Sequence, residues 1–171
     1  ASLEGDLNQI NLNYLFGSNA IIAQLLKTEI FNNKNIDFKL NISAESVFNN
    51  QNIKNIVLKS KIQDGLIDTD KTKFYWRDFA EFELAESLIF VRNGELVLDG
   101  KIKINVNDYK KIYKFLLTPK KYRNEIRQID LSFTYNFDQK IAELKDIVID
   151  DKINEDVNKT LNNIFLKKDD L

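Results

Sequence analysis

The chain has 171 residues, of which 43% are hydrophobic and 30% charged, so it is long enough to form a domain with a real core. It has no cysteine and no histidine, which excludes disulfides, thiolate zinc sites and every catalytic arrangement that needs an imidazole. Its net charge of −1, with the two signs interspersed, argues against a nucleic-acid partner.

The amino-terminal part predicts a strand, a helix and a second strand. Weak alternation in residues 3–16 indicates a short strand that enters a helix. Residues 19–31 then predict a helix, because apolar residues recur every three or four positions and Ser18 or Asn19 can cap its start. The next strand is indicated by apolar residues that alternate with polar ones, namely Ile36, Phe38, Leu40 and Ile42.

Turn dipeptides in the middle of the chain predict a meander. Residues 56–69 predict a hairpin that turns at Asp64-Gly65. The aromatic-rich stretch 74–91 predicts strands of undetermined register. Asn93-Gly94 and Asp99-Gly100 predict two more turns, and alternating apolar residues follow each of them.

The carboxy-terminal part predicts two helices with strands between them. Residues 108–118 predict a short helix with Asp108 in its first turn, and Pro119 stops it. The most regular alternation in the chain runs from Ile129 to Phe137, and a further strand covers residues 144–149. Residues 153–167 predict an amphipathic helix.

The predicted fold is therefore α+β. It has a mostly antiparallel, curved sheet and short helices near residues 19–31, 108–118 and 153–167. No linker rich in proline or glycine divides the chain, so we predict one domain over residues 1–171. Because the chain begins at Ala1 and contains no methionine, we expect it to be a piece of a longer protein.

Candidate catalytic and metal sites have weak support. Asp68 and Asp70 lie near a turn, but the chain has 26 acidic residues, so such proximity is expected by chance. An EF-hand loop that starts at Asp68 would place Lys73 and Phe79 where a glycine and a glutamate are required. We therefore expect no catalysis, no metal and no cofactor.

A basic run follows the second predicted helix, at Lys120, Lys121, Arg123 and Arg127. It is compatible with a solvated loop or with binding of phosphates or anionic lipid headgroups. The broad apolar faces of the strands also leave two interpretations, a protein core or a groove for acyl chains. Alternation with period two cannot separate these, because both require apolar residues on one face.

Three runs of the sequence resemble bacterial AsmA-like proteins. Residues 53–76 (IKNIVLKSKIQDGLIDTDKTKFYW) are similar to the strand–turn–strand unit that recurs in that family. Residues 94–137 (GELVLDGKIKINVNDYKKIYKFLLTPKKYRNEIRQIDLSFTYNF) resemble a hairpin, a short helix and a long strand of the same type. Residues 3–16 (LEGDLNQINLNYLF) are similar to the way such units begin.

The resemblance implies a segment of a large periplasmic protein that is anchored in the inner membrane through flanking segments. Its non-catalytic β-groove would bind or conduct the acyl chains of phospholipid, or of another acyl lipid, between the bacterial membranes, and envelope proteins are possible partners. The alternative is a structural or protein-interaction module of the cell envelope without lipid binding. The expected lining of the groove is Ile36, Phe38, Leu40, Ile42, Leu96, Leu98, Ile102, Ile104, Val106, Leu131, Phe133, Tyr135 and Phe137.

Overall fold

The computed structural model describes all residues except 18, 29, 31–32, 34–35, 64–65, 154–164 and 168–171. Most of the described chain forms one sheet of eleven strands. The strands are β1 (Ser2–Ile10), β2 (Asp37–Val47), β3 (Asn50–Gln63), β4 (Leu66–Asp68), β5 (Lys73–Trp76), β6 (Ala80–Arg92), β7 (Glu95–Val106), β8 (Gln128–Asn136), β9 (Ile141–Ile149), β10 (Lys152–Ile153) and β11 (Phe165–Lys167). The helices are α1 (Leu12–Phe16), α2 (Ile21–Lys27) and α3 (Tyr109–Phe115), and a 3-10 turn spans Lys120–Tyr122.

The order of the strands is close to a meander. The main path runs β1-β2-β3-β4-β6-β7-β8-β9-β10, while β5 pairs with both β3 and β6, and β11 pairs with β9. Every pair is antiparallel except β1 with β2, which is parallel. The prediction of an α+β fold with a mostly antiparallel sheet is confirmed at this level.

The parallel pairing of β1 and β2 requires a crossover connection, and this connection carries α1 and α2. The predicted strand-to-helix transition in residues 3–16 is confirmed, and the Asn11 side chain caps α1 by accepting a hydrogen bond from the amide of Asn13. The helix predicted over residues 19–31 is shorter. It begins after Ala20, which makes no side-chain cap, and ends at Lys27; the proposed cap Ser18 lies outside the described residues.

The predicted turns had different outcomes. Asn93-Gly94 does join β6 to β7, with both residues at positive φ, as a tight hairpin turn requires. Asp64-Gly65 lies outside the described residues, although β3 and β4 pair as the predicted hairpin demands. The turn at Asp99-Gly100 is wrong, because β7 continues through it to Val106. Gly100 is instead needed where β7 approaches an irregularity in β6.

The two later helix predictions differ from the structure. The helix at 108–118 exists as α3 but ends at Phe115, and Asp108 caps it by accepting from the amide of Lys111. The helix at 153–167 is wrong where the chain is described, since β10 and β11 stand at its two ends. Both of these strands pair with β9, whose edge amides and carbonyls need hydrogen-bond partners. These pairings between distant residues outweigh the helical periodicity of the local sequence. Residues 154–164 lie outside the described part.

Candidate functional site: the apolar face of the sheet and its cavity

The apolar side chains of the strands form one continuous face. Residues directly opposite each other in neighbouring antiparallel strands point to the same side of a sheet. One lateral row crosses seven strands through Phe38, Ile62, Ile67, Ile89, Leu98, Tyr135 and Ala142. A second row crosses five strands through Phe74, Phe82, Ile104, Ile129 and Ile149. We call this surface the apolar face.

The structure brings most of the predicted lining residues together on the apolar face. Two of them lie just outside a strand, Ile36 before β2 and Phe137 after β8. The strand residues share the apolar face, as their registers show: Phe38, Leu40, Ile42, Leu96, Leu98, Ile102, Ile104, Val106, Leu131, Phe133 and Tyr135. For β2, β7 and β8, the residues predicted from the alternation therefore lie on one face of the sheet.

The crossover helix α2 covers one part of the apolar face. Ala23 and Leu26 of α2 pack in one buried cluster with Ile67, Ile89 and Leu96, and Leu96 is only 1% exposed. In this region the interpretation as a protein core holds. Leu96 therefore acts as a core residue under α2 in the described fold.

A charged contact fixes the far end of α2 to the sheet. The ammonium group of Lys27 donates to the carboxylate of Asp138, which also accepts from the amide of Leu96 at 2.8 Å. Burial acts to raise the pKa of Asp138, but these two hydrogen bonds outweigh it and hold that pKa below its ordinary value. The ion pair thus ties the carboxy-terminal end of α2 to the β8–β9 turn.

A partly open cavity of about 230 Å³ lies beneath α1. Leu12 and Phe16 of α1 form part of its wall. The sheet supplies the remaining residues, which are Val47, Ile53, Ile56, Leu58, Thr69, Thr72, Phe74, Leu84, Ile89, Leu98 and Phe137. Phe16 and Phe137 meet with ring centroids 5.4 Å apart. Apolar cavities of roughly 150 Å³ already accept a molecule the size of benzene, so this one is suited to hydrocarbon.

The two threonines in the wall do not make the cavity polar. The hydroxyl of Thr69 donates to the hydroxyl of Ser87 at 3.0 Å, and the hydroxyl of Thr72 donates to the carbonyl of Lys59 at 2.9 Å. Their hydrogen-bonding capacity is thus used within the protein. A polar ligand would find no partner for its own groups in the described wall, and burying such groups would be costly.

The apolar face continues from the cavity towards β8 and β9. Leu84, which lines the cavity, lies opposite Ile102, and Ile102 lies opposite Leu131. Ile102 and Leu131 are half-buried. The described helices therefore leave a half-exposed apolar track that starts at the cavity and crosses three strands.

Burial also affects Tyr135, the one polar residue in the row that crosses seven strands. It raises the pKa of the Tyr135 phenol above its ordinary value, as expected for a group surrounded by apolar side chains. Tyr135 contacts Phe137 edge-on with centroids 5.0 Å apart. Because Phe137 also lines the cavity, this contact connects the seven-strand row to the cavity wall.

The opposite face of the sheet carries charges that pair with one another. Asp99 accepts hydrogen bonds from Lys145 and Thr134. Burial acts to raise the Asp99 pKa, but these partners hold it below its ordinary value. Glu81 accepts from Tyr75 and Lys73, and the Tyr75 hydrogen bond is the main cause of its lowered pKa. These acids stabilise a solvated face.

Sequence reasoning missed the residues that β5 and β6 contribute to the cavity, notably Phe74, Leu84 and Ile89. The alternation of β6 is broken because its register against β7 shifts between Ala85 and Leu88. The signal was present in the aromatic residues of stretch 74–91, but the shift hides which of them share a face.

Neither a metal site nor a membrane-spanning helix is present among the residues that the structure describes. Among the described residues, no group of acidic side chains is arranged to hold a metal ion. The described helices are all too short or too polar to cross a membrane.

We find no match for this chain among protein-family models, curated proteins or solved structures.

Proposed function

We propose that the apolar face binds the acyl chains of phospholipid without covalent chemistry, as a β-groove segment of an AsmA-like periplasmic protein that handles lipid between bacterial membranes. The observation that carries this proposal is the wholly apolar cavity under α1, which opens into the half-exposed track through Leu84, Ile102 and Leu131. One end of a hydrocarbon chain would occupy the cavity, and the remainder would lie along the track.

The energetic reason is the removal of hydrocarbon from water. Each buried methylene contributes roughly 0.8 kcal/mol, so an acyl chain gains stability in proportion to the length that the groove shields. A continuous apolar row offers equivalent contacts along its length, which suits a ligand that moves as well as one that stays bound. In this proposal the sheet curves around the chain and its apolar side forms the groove.

The first test is native mass spectrometry of the purified protein, followed by extraction and identification of any lipid. We expect phospholipid at a defined stoichiometry, or saturable binding after phospholipid is added to delipidated protein. An apo mass that persists after lipid addition would overturn the proposal.

A pair of matched variants localises the binding. Ile102→Gln with Leu131→Gln places amides on the half-exposed track, whereas Lys103→Gln alters the adjacent residue on the opposite face. We expect the first variant to lose lipid and the control to retain it. Circular dichroism and thermal unfolding of both proteins establish that they are folded, so lipid loss can be assigned to the track. Equal retention in both would contradict the proposed location.

A structural or protein-interaction module is the second candidate, and strand β1 favours it. In the described part of the chain β1 has no strand on its outer side, and its residues Leu3 and Leu7 are exposed. An open strand edge can pair with an extended segment of a partner. Capture of a specific envelope protein by the wild type, abolished by a proline at Asp6, together with a persistent apo mass, would select this function.

A further inference from the structure

The connection between β7 and β8, residues 107–127, carries an unusual combination of charge and exposed apolar surface. It contains seven Lys or Arg residues, Lys110, Lys111, Lys114, Lys120, Lys121, Arg123 and Arg127, and only two acids, Asp108 and Glu125. The segment thus has a net charge of +5 in a chain whose net charge is −1. We call it the basic connection.

Several of the cations in the basic connection have no anionic partner among the described residues. Lys111 pairs with Asp78 and Asp108, and Arg127 pairs with Glu125. In contrast, the described part of the chain forms no ion pair with Lys110, Lys114, Lys120, Lys121 or Arg123. These charges face solvent and remain available to an external anion.

Large apolar side chains project from the same connection. Leu116 is 59% exposed, Leu117 is 85% exposed and Tyr122 is 60% exposed. Lys121 lies over the ring of Tyr122, 4.7 Å from its centroid. Exposed leucine and tyrosine side chains flanked by lysines are the arrangement found where proteins lie in a membrane interface.

The basic connection contacts the sheet through Phe115. Phe115 contacts Trp76 edge-on with centroids 5.3 Å apart, and the guanidinium of Arg77 lies 4.8 Å from the centre of the Phe115 ring. This anchor fixes the end of α3 at the edge where β7 ends and β8 begins. Leu116 and Leu117, the next two residues, are both exposed beside this contact.

We infer that the basic connection docks on the surface of an anionic phospholipid bilayer, with Leu116, Leu117 and Tyr122 entering the interface and the unpaired lysines facing the headgroups. The positive charge of the basic connection favours an anionic surface. Its exposed Leu116, Leu117 and Tyr122 favour a bilayer over a soluble phosphate, because they can enter the bilayer interface. This inference does not rest on the proposed acyl-chain binding. It concerns a different part of the molecule.

The test is sedimentation of the full chain with large vesicles of two compositions, phosphatidylcholine alone and an equal mixture of phosphatidylcholine and phosphatidylglycerol. We expect binding to the mixed vesicles only, weakening as salt is raised. Absence of binding to the mixed vesicles, or equal binding to both compositions, would overturn the inference.

Variants separate the two contributions. Lys120→Gln with Lys121→Gln should lower the partition coefficient about fivefold for each charge removed, and Leu116→Ser with Leu117→Ser should lower it about tenfold. The matched controls are Lys39→Gln with Lys59→Gln, and Leu3→Ser with Leu7→Ser, which alter exposed residues of β1–β3. If the controls lose as much binding as the connection variants, the inference fails.

The variant Ile102→Gln with Leu131→Gln distinguishes the two proposals. It targets the half-exposed track, and it should leave vesicle binding within twofold of the wild type. Vesicle binding that survives while co-purified lipid is lost supports docking by the basic connection independently of the track. Vesicle binding that disappears with this variant, in a protein that remains folded, assigns membrane contact to the apolar face and contradicts the inference.

Discussion

Gly100 of β7 lies against Ser87 of β6 so closely that a Cβ atom on Gly100 would fall 2.6 Å from the Cβ of Ser87. The register of the two strands shifts between Ala85 and Leu88, and Glu86 within the shift has a φ of 49°. The irregularity pushes Ser87 towards β7. Only a residue without a side chain can stand opposite it, so glycine here serves a close approach rather than a turn.

Gly100→Ala should destabilise the fold by about 1–3 kcal/mol, because the added methyl overlaps backbone and Cβ atoms that cannot move aside independently. The measurement is the free energy of unfolding in urea. Gly5→Ala is the matched control, since a Cβ at Gly5 meets nothing within 4 Å. The control should be neutral or slightly stabilising. Equal stability of Gly100→Ala and the wild type would contradict the steric argument.

Asp70→Ala should also weaken the fold at the same irregularity. Asp70 accepts hydrogen bonds from the amide of Ser87 at 2.7 Å and from its hydroxyl at 3.0 Å. Without the carboxylate, the donors of the buried Ser87 lose their acceptor, at a cost of about 1–3 kcal/mol. Thermal unfolding compares this variant with Asp146→Ala, which removes an exposed acid from β9. The hypothesis fails if both variants lower the melting temperature equally.

Asp138→Asn should lower the stability of the fold by about 1–2 kcal/mol at neutral pH, because it removes the charge that pairs with Lys27. The pKa of Asp138 is lower in the folded state, so its carboxylate contributes stability above the unfolded-state value of about 3.9. That contribution is lost as the pH falls from there through the folded-state pKa.

The stability difference between wild type and Asp138→Asn should therefore shrink as the pH falls below about 4. Urea unfolding at a series of pH values measures it, with Asp146→Asn as the control for an exposed acid. A difference that stays constant from neutral to acidic pH would show that the charge of Asp138 contributes nothing.

Leu117→Gly should stabilise the protein while it weakens vesicle binding. Leu117 follows the end of α3 with a φ of 54°, a conformation that costs a leucine about 1–2 kcal/mol and a glycine little. We expect the free energy of unfolding to rise by about 0.5–1 kcal/mol. In contrast, Lys114→Gly inside α3 should destabilise the helix by about 1 kcal/mol. If Leu117→Gly leaves vesicle binding unchanged, Leu117 is not part of the membrane contact.

Local chemistry explains the elements that were predicted correctly. Asn93-Gly94 forms its hairpin because the two residues adopt positive φ at low cost. The alternation from Ile129 to Phe137 became β8 and placed Leu131, Phe133 and Tyr135 on the apolar face. In both cases the structure follows from local properties, namely the backbone conformation of the turn residues and the alternation of apolar and polar side chains along one strand.

The errors arose where distant parts of the chain meet. Asp99-Gly100 has the composition of a turn, but the glycine was selected by the approach of Ser87 from the neighbouring strand. The ends of residues 153–167 became strands because β9 offers an unpaired edge. The cavity wall includes the contact of Phe16 in α1 with Phe137 after β8, two residues far apart in the chain.

The sequence by itself determined the β-rich class, the apolar face of most strands, the absence of thiol and imidazole chemistry, and the basic character of residues 107–127. Side-chain alternation and composition encode these properties directly. Only the tertiary structure decided that α2 buries Leu96, that a cavity remains beneath α1, and that Leu116 and Leu117 project beside unpaired lysines. An alternating pattern states which side of a strand is apolar, whereas what covers that side depends on packing between elements that are distant in the chain.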